Sequence, residues 1–227
     1  MDVSFVSILA LGFVLGIKHA IEPDHVIAVS TIASQSKKLF RSSLAGVFWG
    51  IGHTATLFIV GIILLIMKGQ IPEKWAMSLE FLVGIMLVYL GISTITSLKK
   101  IHVHQHEHES ETINPHGTQQ KNFSYIKSMI IGLVHGLAGS GAIVVLTMST
   151  VKSVFESAFY ILIFGFGTVI GMLFFTTILG ISFTFSAKRL RLNKTLTQIT
   201  GVVSTVSGIY YMYNLGIAEG LFKLWLQ

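Results

Sequence analysis

The chain lacks cysteine altogether, and it has few charged residues for its length. Its 227 residues include no Cys and three Pro, and only 11% are Asp, Glu, Lys or Arg, whereas soluble domains carry about 25%. The missing thiols exclude disulfide bonds and thiolate metal sites, so any metal must be held by His, carboxylate, hydroxyl, thioether or backbone oxygen. The scarcity of charge, together with 52% hydrophobic residues, favours a lipid-embedded protein over a soluble domain.

Apolar segments and basic linkers alternate along the chain. Six apolar segments lie at 4–34, 42–67, 75–98, 124–150, 155–185 and 195–215, each long enough to cross a bilayer at about 20 residues per span. Eleven Lys and Arg lie around the linkers after the first, third and fifth segments. Four Lys lie after the second, fourth and sixth segments. The positive-inside rule therefore predicts a multi-pass protein of the cell membrane with extracytoplasmic termini. The net charge of +6 then reflects cytoplasmic linkers rather than nucleic-acid binding.

The two halves of the chain resemble each other at a nearly constant offset. LGIKHA at 15–20 aligns with IGLVHG at 131–136, and FWGIGH at 48–53 aligns with IFGFGT at 163–168. Because a repeat of three spans is odd, the second copy enters the membrane from the opposite face, an arrangement typical of transporters with a site near the midplane. We therefore expect an all-α polytopic membrane protein with about six transmembrane helices as two inverted three-helix repeats.

The domain boundaries follow from this repeat. The first three-helix repeat is predicted at 1–98 and the second at 124–227, joined by a cytoplasmic loop at 99–123. Five His lie between 102 and 116 in that loop, and such tracts bind divalent metals loosely. The loop is interpreted as an acceptor or sensor of metal, with a merely solvated or pH-sensitive segment as the alternative.

The segment HAIEPDH, which begins at His19, places ionisable side chains inside an apolar run. Such side chains cost about 2.5–3.5 kcal/mol at the centre of a bilayer, so they indicate a functional site by default. On a regular helix, His19, Glu22 and His25 share one face and Asp24 points away. Pro23 removes an N–H and disrupts the preceding turn, which predicts a break that frees the His19 carbonyl and lets Asp24 join the histidines. A helix end with exposed acids is the alternative.

Two further histidines lie in glycine-rich apolar segments. His53 follows Gly50 and Gly52, and His135 begins the second repeat next to Gly136. Each is interpreted as a metal ligand or as a neighbour of one, although a hydrogen bond to a backbone carbonyl would explain either. The predicted metal ligands are thus His19, Glu22, Asp24, His25, His53 and His135.

These motifs resemble those of a known transporter family. HAIEPDH fits the His-x4-Asp-His pattern of nickel/cobalt permeases, the NiCoT or NicO superfamily. FWGIGHT at 48–54 resembles that family's second motif, and GLVHGLAGS at 132–140 resembles its compact UreH-like branch. The resemblance covers the whole chain and implies uptake of nickel or cobalt, with ligand roles for His19, Asp24, His25 and His53. The larger permeases differ in having Asp-Ala in place of Glu22-Pro23 and eight spans rather than six.

The function expected from the sequence is transport rather than catalysis. Ni²⁺ or Co²⁺ is expected as the transported substrate with no resident cofactor, the lipid bilayer as the surroundings, and a cytoplasmic metal acceptor as a candidate partner. Export instead of import, or zinc as the ion, stays open, as does the oligomeric state. An intramembrane metalloenzyme with Glu22 as the base, or a haem-binding electron carrier with axial histidines, are the rivals from other classes.

Overall fold

The protein is built from helices throughout the part of the chain that the structure describes. A computed structural model describes residues 4–36, 38–67, 71–106, 125–150 and 153–226. In chain order the helices are α1 (Phe5–His19), α2 (Pro23–Ser34), α3 (Leu39–Met67), α4 (Glu73–His106), α5 (Tyr125–Thr150), α6 (Val154–Ser186), α7 (Leu190–Tyr213) and α8 (Leu221–Leu226), with a π-helical segment Asn214–Ala218 before α8. No strand occurs within these ranges, which confirms the all-α prediction.

Several of these helices are long and apolar enough to cross a membrane. Within the described ranges, α3, α4 up to Ser97, and α6 qualify singly, and α1 and α2 qualify together as one broken span. The part of α5 from Tyr125 to Gly139 is a shorter apolar helix. The protein is therefore a polytopic membrane protein, as predicted, while the count of six spans stays a prediction.

Large apolar side chains cover the outside of the helices. Phe40, Phe174 and Phe185 are 73%, 60% and 72% exposed. A water-soluble protein with such a surface would associate or aggregate, whereas lipid tails are a favourable surrounding for it. The exposed phenylalanines agree with the membrane spans in these helices.

The first span breaks where Pro23 predicts a break. Glu22 has the extended conformation (φ −60°, ψ 145°) that is favoured before a proline, and Pro23 opens α2 as its first residue. The axes of α1 and α2 are bent by 57°. The expectation of a free His19 carbonyl is wrong, because this carbonyl accepts a hydrogen bond from the Glu22 N–H at 3.1 Å. The break therefore re-aims side chains without leaving this backbone group unsatisfied.

Helix α4 is longer than the sequence predicts. The predicted third span ends at 98, but α4 continues to His106, so the first part of the predicted loop 99–123 is helical. The segment KKIHVHQH is polar but contains neither Gly nor Pro, and polarity alone does not end a helix. The remaining His of the predicted metal-binding loop, His108 and His116, lie outside the described residues, and the metal-binding role of the loop stays a prediction.

Helices from the two halves of the chain pack in equivalent pairs. In the α1–α6 contact, a Cβ at Gly16 would overlap the carbonyl oxygen of Phe164; in the α3–α5 contact, a Cβ at Gly132 would overlap the carbonyl oxygen of Trp49. The repeat aligns Gly16 with Gly132 and Phe164 with Trp49, so the two contacts are equivalent. Backbones approach this closely only where a side chain is absent.

The α4–α7 contact is reciprocal in the same way. A Cβ at Gly84 would lie 3.2 Å from the carbonyl oxygen of Gly208, and a Cβ at Gly208 would lie 2.7 Å from the carbonyl oxygen of Gly84. Two repeats related by a two-fold axis would produce such exchanges. The division into domains at 1–98, 99–123 and 124–227 itself stays a prediction.

Candidate metal centre

The six predicted ligand residues meet at one cavity between the helices. The cavity has a volume of about 330 Å³ and receives side chains from α1 to α7. Those predicted from the sequence are His19, Glu22, Asp24, His25, His53 and His135. The structure thus brings together residues from three distant parts of the chain, while their role as metal ligands stays a prediction.

The first group of potential ligands consists of three histidines. The ring nitrogens of His19, His25 and His53 lie within 4.8 Å of one another, and His19 Nε2 is 3.1 Å from His53 Nε2. At metal–nitrogen bonds of about 2.0–2.1 Å, neighbouring ligands are about 2.8–3.4 Å apart. The His19–His53 separation lies in this range, and it is also a hydrogen-bond distance, so one of the two nitrogens carries a proton that a bound ion would displace.

The second group joins α2 to α5 through a carboxylate. Asp24 Oδ1 lies 3.0 Å from His25 Nδ1, and Asp24 Oδ2 lies 2.8 Å from His135 Nε2. Asp24, His25 and His135 form a second set of ligand atoms within 4.8 Å, so His25 belongs to both groups. The hypothesis that the break at Pro23 turns Asp24 towards histidines agrees with these two contacts.

Glu22 contacts the cluster from its edge. Its Oε2 lies 3.0 Å from His19 Nδ1, and the Glu22 side chain is 51% exposed. An ionised carboxylate only accepts hydrogen bonds, so Nδ1 of His19 carries the proton and Nε2 has the lone pair. Carboxylates that hold a histidine in this way fix its ring orientation for metal binding. Glu22 is therefore placed to orient His19.

The same reasoning assigns lone pairs to other rings of the cluster. Because His25 Nδ1 and His135 Nε2 donate to Asp24, the opposite nitrogens of these two rings are the acceptors. His25 Nε2, His135 Nδ1 and His53 Nδ1 are buried and have no hydrogen-bond partner. Unsatisfied buried acceptors are rare in folded proteins, so each of these three rings is a candidate ligand.

An indole that the sequence analysis missed holds the rings in place. The Trp49 ring stacks on His53 with centroids 5.0 Å apart and an interplanar angle of 9°. It meets His25 and His135 edge-on at 4.9 and 5.2 Å. Trp49 lies one helical turn before His53 on α3, the spacing that puts two side chains on one face, so this signal was present in the sequence.

Two further residues of the cavity wall come from α4 and α7. Glu80 and Tyr211 line the same cavity as the histidines. Glu80 is the sole acidic residue of the predicted span 75–98, and an isolated carboxylate in a span is itself a functional signal. Tyr211 has no comparable signal, because tyrosine is ordinary in membrane helices.

Similarity to known proteins agrees with this architecture. The family described as the cytochrome C biogenesis protein transmembrane region matches residues 7–210. The chain belongs to this family. The urease accessory protein UreH of Bacillus sp. strain TB-90 is 63% identical to this chain over 227 residues, which are 100% of this chain and 99% of that protein. The resemblance to UreH-like proteins is thereby confirmed, and membership of the wider NiCoT or NicO superfamily stays a prediction.

More distant relatives come from a plant. The chloroplast proteins FOR GROWTH AND FERTILITY 1 and 2 of Arabidopsis thaliana are each 26% identical, over 211 and 204 residues. The alignments cover 87% of this chain but 56% and 54% of the plant proteins, so the chain spans about half the length of these two relatives. No solved structure matches the chain.

Proposed function

We propose that this protein carries Ni²⁺ or Co²⁺ across the cell membrane into the cytoplasm as a secondary transporter of the NiCoT or NicO superfamily. The observation that carries the proposal is the pair of ligand groups that share buried His25 inside a polytopic membrane protein. Imidazole suits borderline divalent ions such as nickel, cobalt and zinc. The full-length relative named urease accessory protein supports nickel among these ions.

The chemistry of binding is an exchange of water for imidazole. A hydrated ion that reaches the cavity gives up water molecules and gains the ligand atoms of one group, either His19, His25 and His53 or Asp24, His25 and His135. Asp24, which is 26% exposed, offsets part of the ion's charge in a region of low dielectric. Ligands held by other side chains bind with little reorganisation, because Trp49 and Glu22 already fix the rings.

The shared ligand suggests how an ion advances through the cluster. His25 is within reach of both His19 with His53 and Asp24 with His135. An ion held by His25 can exchange the first pair for the second without returning to bulk water. Stepwise exchange of this kind keeps every intermediate coordinated, which lowers the barrier for a doubly charged ion in the membrane.

Access from the two sides would alternate as the repeats rock or bend against each other. Inverted repeats move in this way around a site at their interface. The positive-inside rule places the termini outside and the 99–123 loop in the cytoplasm, where its histidines would receive the ion or sense it. In this proposal the metal is cargo, and the protein is neither an enzyme nor dependent on a resident cofactor.

Uptake into vesicles tests the proposal. Purified protein in proteoliposomes should accumulate labelled nickel, and unlabelled Co²⁺ should compete better than Zn²⁺ or Mn²⁺. His19→Ala should abolish most of the uptake, while Phe155→Ala, which removes an exposed ring on α6, should not. Equal nickel uptake by protein-free vesicles, or by the His19 variant at the wild-type rate, would contradict the proposal; preferential loss of preloaded metal would indicate export.

A haem-related function is the second candidate, because the family's description refers to cytochrome C biogenesis. Two axial histidines would need a macrocycle between them, yet the contacting imidazoles have centroids 4.2 to 5.9 Å apart. That spacing suits one small ion rather than a porphyrin. A visible absorption spectrum of the purified protein separates the two functions, since a Soret band would favour haem.

A further inference from the structure

The cavity has an acidic wall that belongs to neither ligand group. Glu80 of α4 and Tyr211 of α7 line it, and the carboxylate of Glu80 interacts with the hydroxyl of Tyr211. The charges of Asp24 and Glu219 also act on Glu80. Asp24, Glu80 and Tyr211 line one cavity together with the histidine cluster.

The depth of Glu80 places it between the cluster and one membrane face. His53 lies at the midpoint of α3, about 21 Å along the axis from the face where α3 ends and α4 begins. Glu80 lies about 10 Å from that same face, at the 1.5 Å rise of a helix. The chain's C-terminal helix reaches this face, because Trp225 of α8 packs on Trp75 with ring centroids 5.0 Å apart. Tryptophans typically mark the membrane–water boundary.

Glu80 has no ion-pair partner in the part of the chain that the structure describes, although Lys18 lines the same cavity. No Lys, Arg or His among the described residues forms an ion pair with it, although it is half-buried in a membrane helix. A carboxylate in such surroundings indicates an ion pathway or a proton relay. In the same cavity, His25 is 2% and His53 0% exposed, and each has a ring nitrogen without a partner.

We propose that Glu80, together with the Tyr211 hydroxyl, forms a loading position for the transported divalent cation on the side of the C-terminus. This inference rests on the proposed transport function and deepens it. The oxygen ligands of the loading position hold the ion while it keeps most of its water, since carboxylate and hydroxyl suit hydrated divalent ions. From there the ion passes to Asp24 and exchanges its remaining water for the imidazoles of the cluster.

Loading raises the local ion concentration instead of the affinity of the final site. A negatively charged cleft with low-dielectric walls increases the on-rate of a cation by about 10- to 1000-fold. Removal of one charge should lower the on-rate by a factor at the low end of that range, about tenfold. The half-saturating nickel concentration for uptake by Glu80→Gln should therefore rise about tenfold, with an unchanged maximal rate and an unchanged equilibrium affinity of the detergent-purified protein.

Matched variants separate this role from a structural one. Glu80→Asp keeps the charge and should restore most of the wild-type half-saturation, and Tyr211→Phe should give a smaller rise than Glu80→Gln. Glu73→Gln, the same substitution at an exposed position on the same helix, should behave like the wild type. Wild-type half-saturation in Glu80→Gln would overturn the inference and leave the transport proposal intact, whereas absence of uptake by the wild type would overturn the transport proposal.

A chemical test does not depend on transport. The chain has no cysteine, so Ala76→Cys, a partly exposed position on α4 one turn before Glu80, provides a single thiol. A small membrane-impermeant thiosulfonate should label it from the side of a C-terminal tag, and Ni²⁺ or Co²⁺ should slow this labelling unless Glu80→Gln is also present. Labelling from the opposite side alone, or metal protection that survives Glu80→Gln, would refute the loading position.

Discussion

Replacement of Asp24 by Asn removes one charge from the cluster while preserving the size of the side chain. In the wild type, the two carboxylate oxygens accept hydrogen bonds from His25 at 3.0 Å and from His135 at 2.8 Å. The amide of Asn keeps one acceptor and presents an NH₂ group where the second acceptor was. One histidine must therefore reverse its tautomer or lose its partner.

The magnitude follows from two opposing contributions. A divalent ion about 4 Å from a carboxylate gains about 8 kcal/mol at an effective dielectric constant of 20, twice the value for unit charges. Desolvation of the carboxylate offsets most of this gain. Loss of a carboxylate that merely orients a ligand costs about 10- to 100-fold in metal affinity. We expect a loss of about 100-fold for Asp24→Asn, because it also removes charge, which corresponds to about 2.7 kcal/mol.

The assay is a nickel titration of the purified protein, paired with initial rates of uptake in proteoliposomes. Glu156→Gln is the matched control, because Glu156 lies in the first turn of α6 and does not line the cavity. A folded Asp24→Asn variant with wild-type nickel affinity would refute the reasoning that the carboxylate compensates the ion's charge. A thermal unfolding curve in detergent confirms that the variant is folded.

Three further predictions concern the shared histidine, the helix contacts and protons. His25→Ala removes a ligand from both groups and should reduce nickel affinity more than His19→Ala does, as measured by the same titration. Gly132→Ala forces a methyl group against the Trp49 carbonyl and should destabilise the protein by about 1–3 kcal/mol, seen as a lower unfolding temperature in detergent, whereas Ala substitution at exposed Phe155 should have little effect. Uptake should fall as the external pH is lowered from about 7.5 to 5.5, because protonated imidazole does not bind metal; a rate that rises over this range would contradict the histidine site.

The residues that sequence reasoning identified are those with a local signal. His19, Asp24 and His25 stand out as ionisable groups in an apolar run. Pro23 predicts the helix break because it has no N–H. The repeat drew attention to His135, since it aligns with His19. Each of these inferences needs only neighbouring residues or an internal comparison, and the structure places all of these side chains at or beside one cavity.

Long-range contacts set the limit of such reasoning. That Asp24 hydrogen-bonds to His135 depends on the packing of α2 and α5, and no local pattern encodes it. Trp49 shares one face of α3 with His53, but its contacts with His25 and His135 depend on helix packing in the same way. So does the approach of Glu80 and Tyr211 from α4 and α7. The end of α4 was misjudged for a different reason: the chain becomes polar after 98 but contains no residue that ends a helix there.

The break at Pro23 also sets the dipoles around the cluster. Helix α1 ends at His19 and α2 begins at Pro23, so the negative pole of one helix and the positive pole of the next are separated by one turn. A helix carries about half an elementary charge at each end. The C-terminal pole of α1 attracts a cation bound near His19, and the N-terminal pole of α2 stabilises the carboxylate of Asp24 in its first turn. A single interrupted span thus provides one helix pole that favours the ion and a second that favours its counter-charge. In an unbroken helix, these two poles would lie at opposite sides of the membrane.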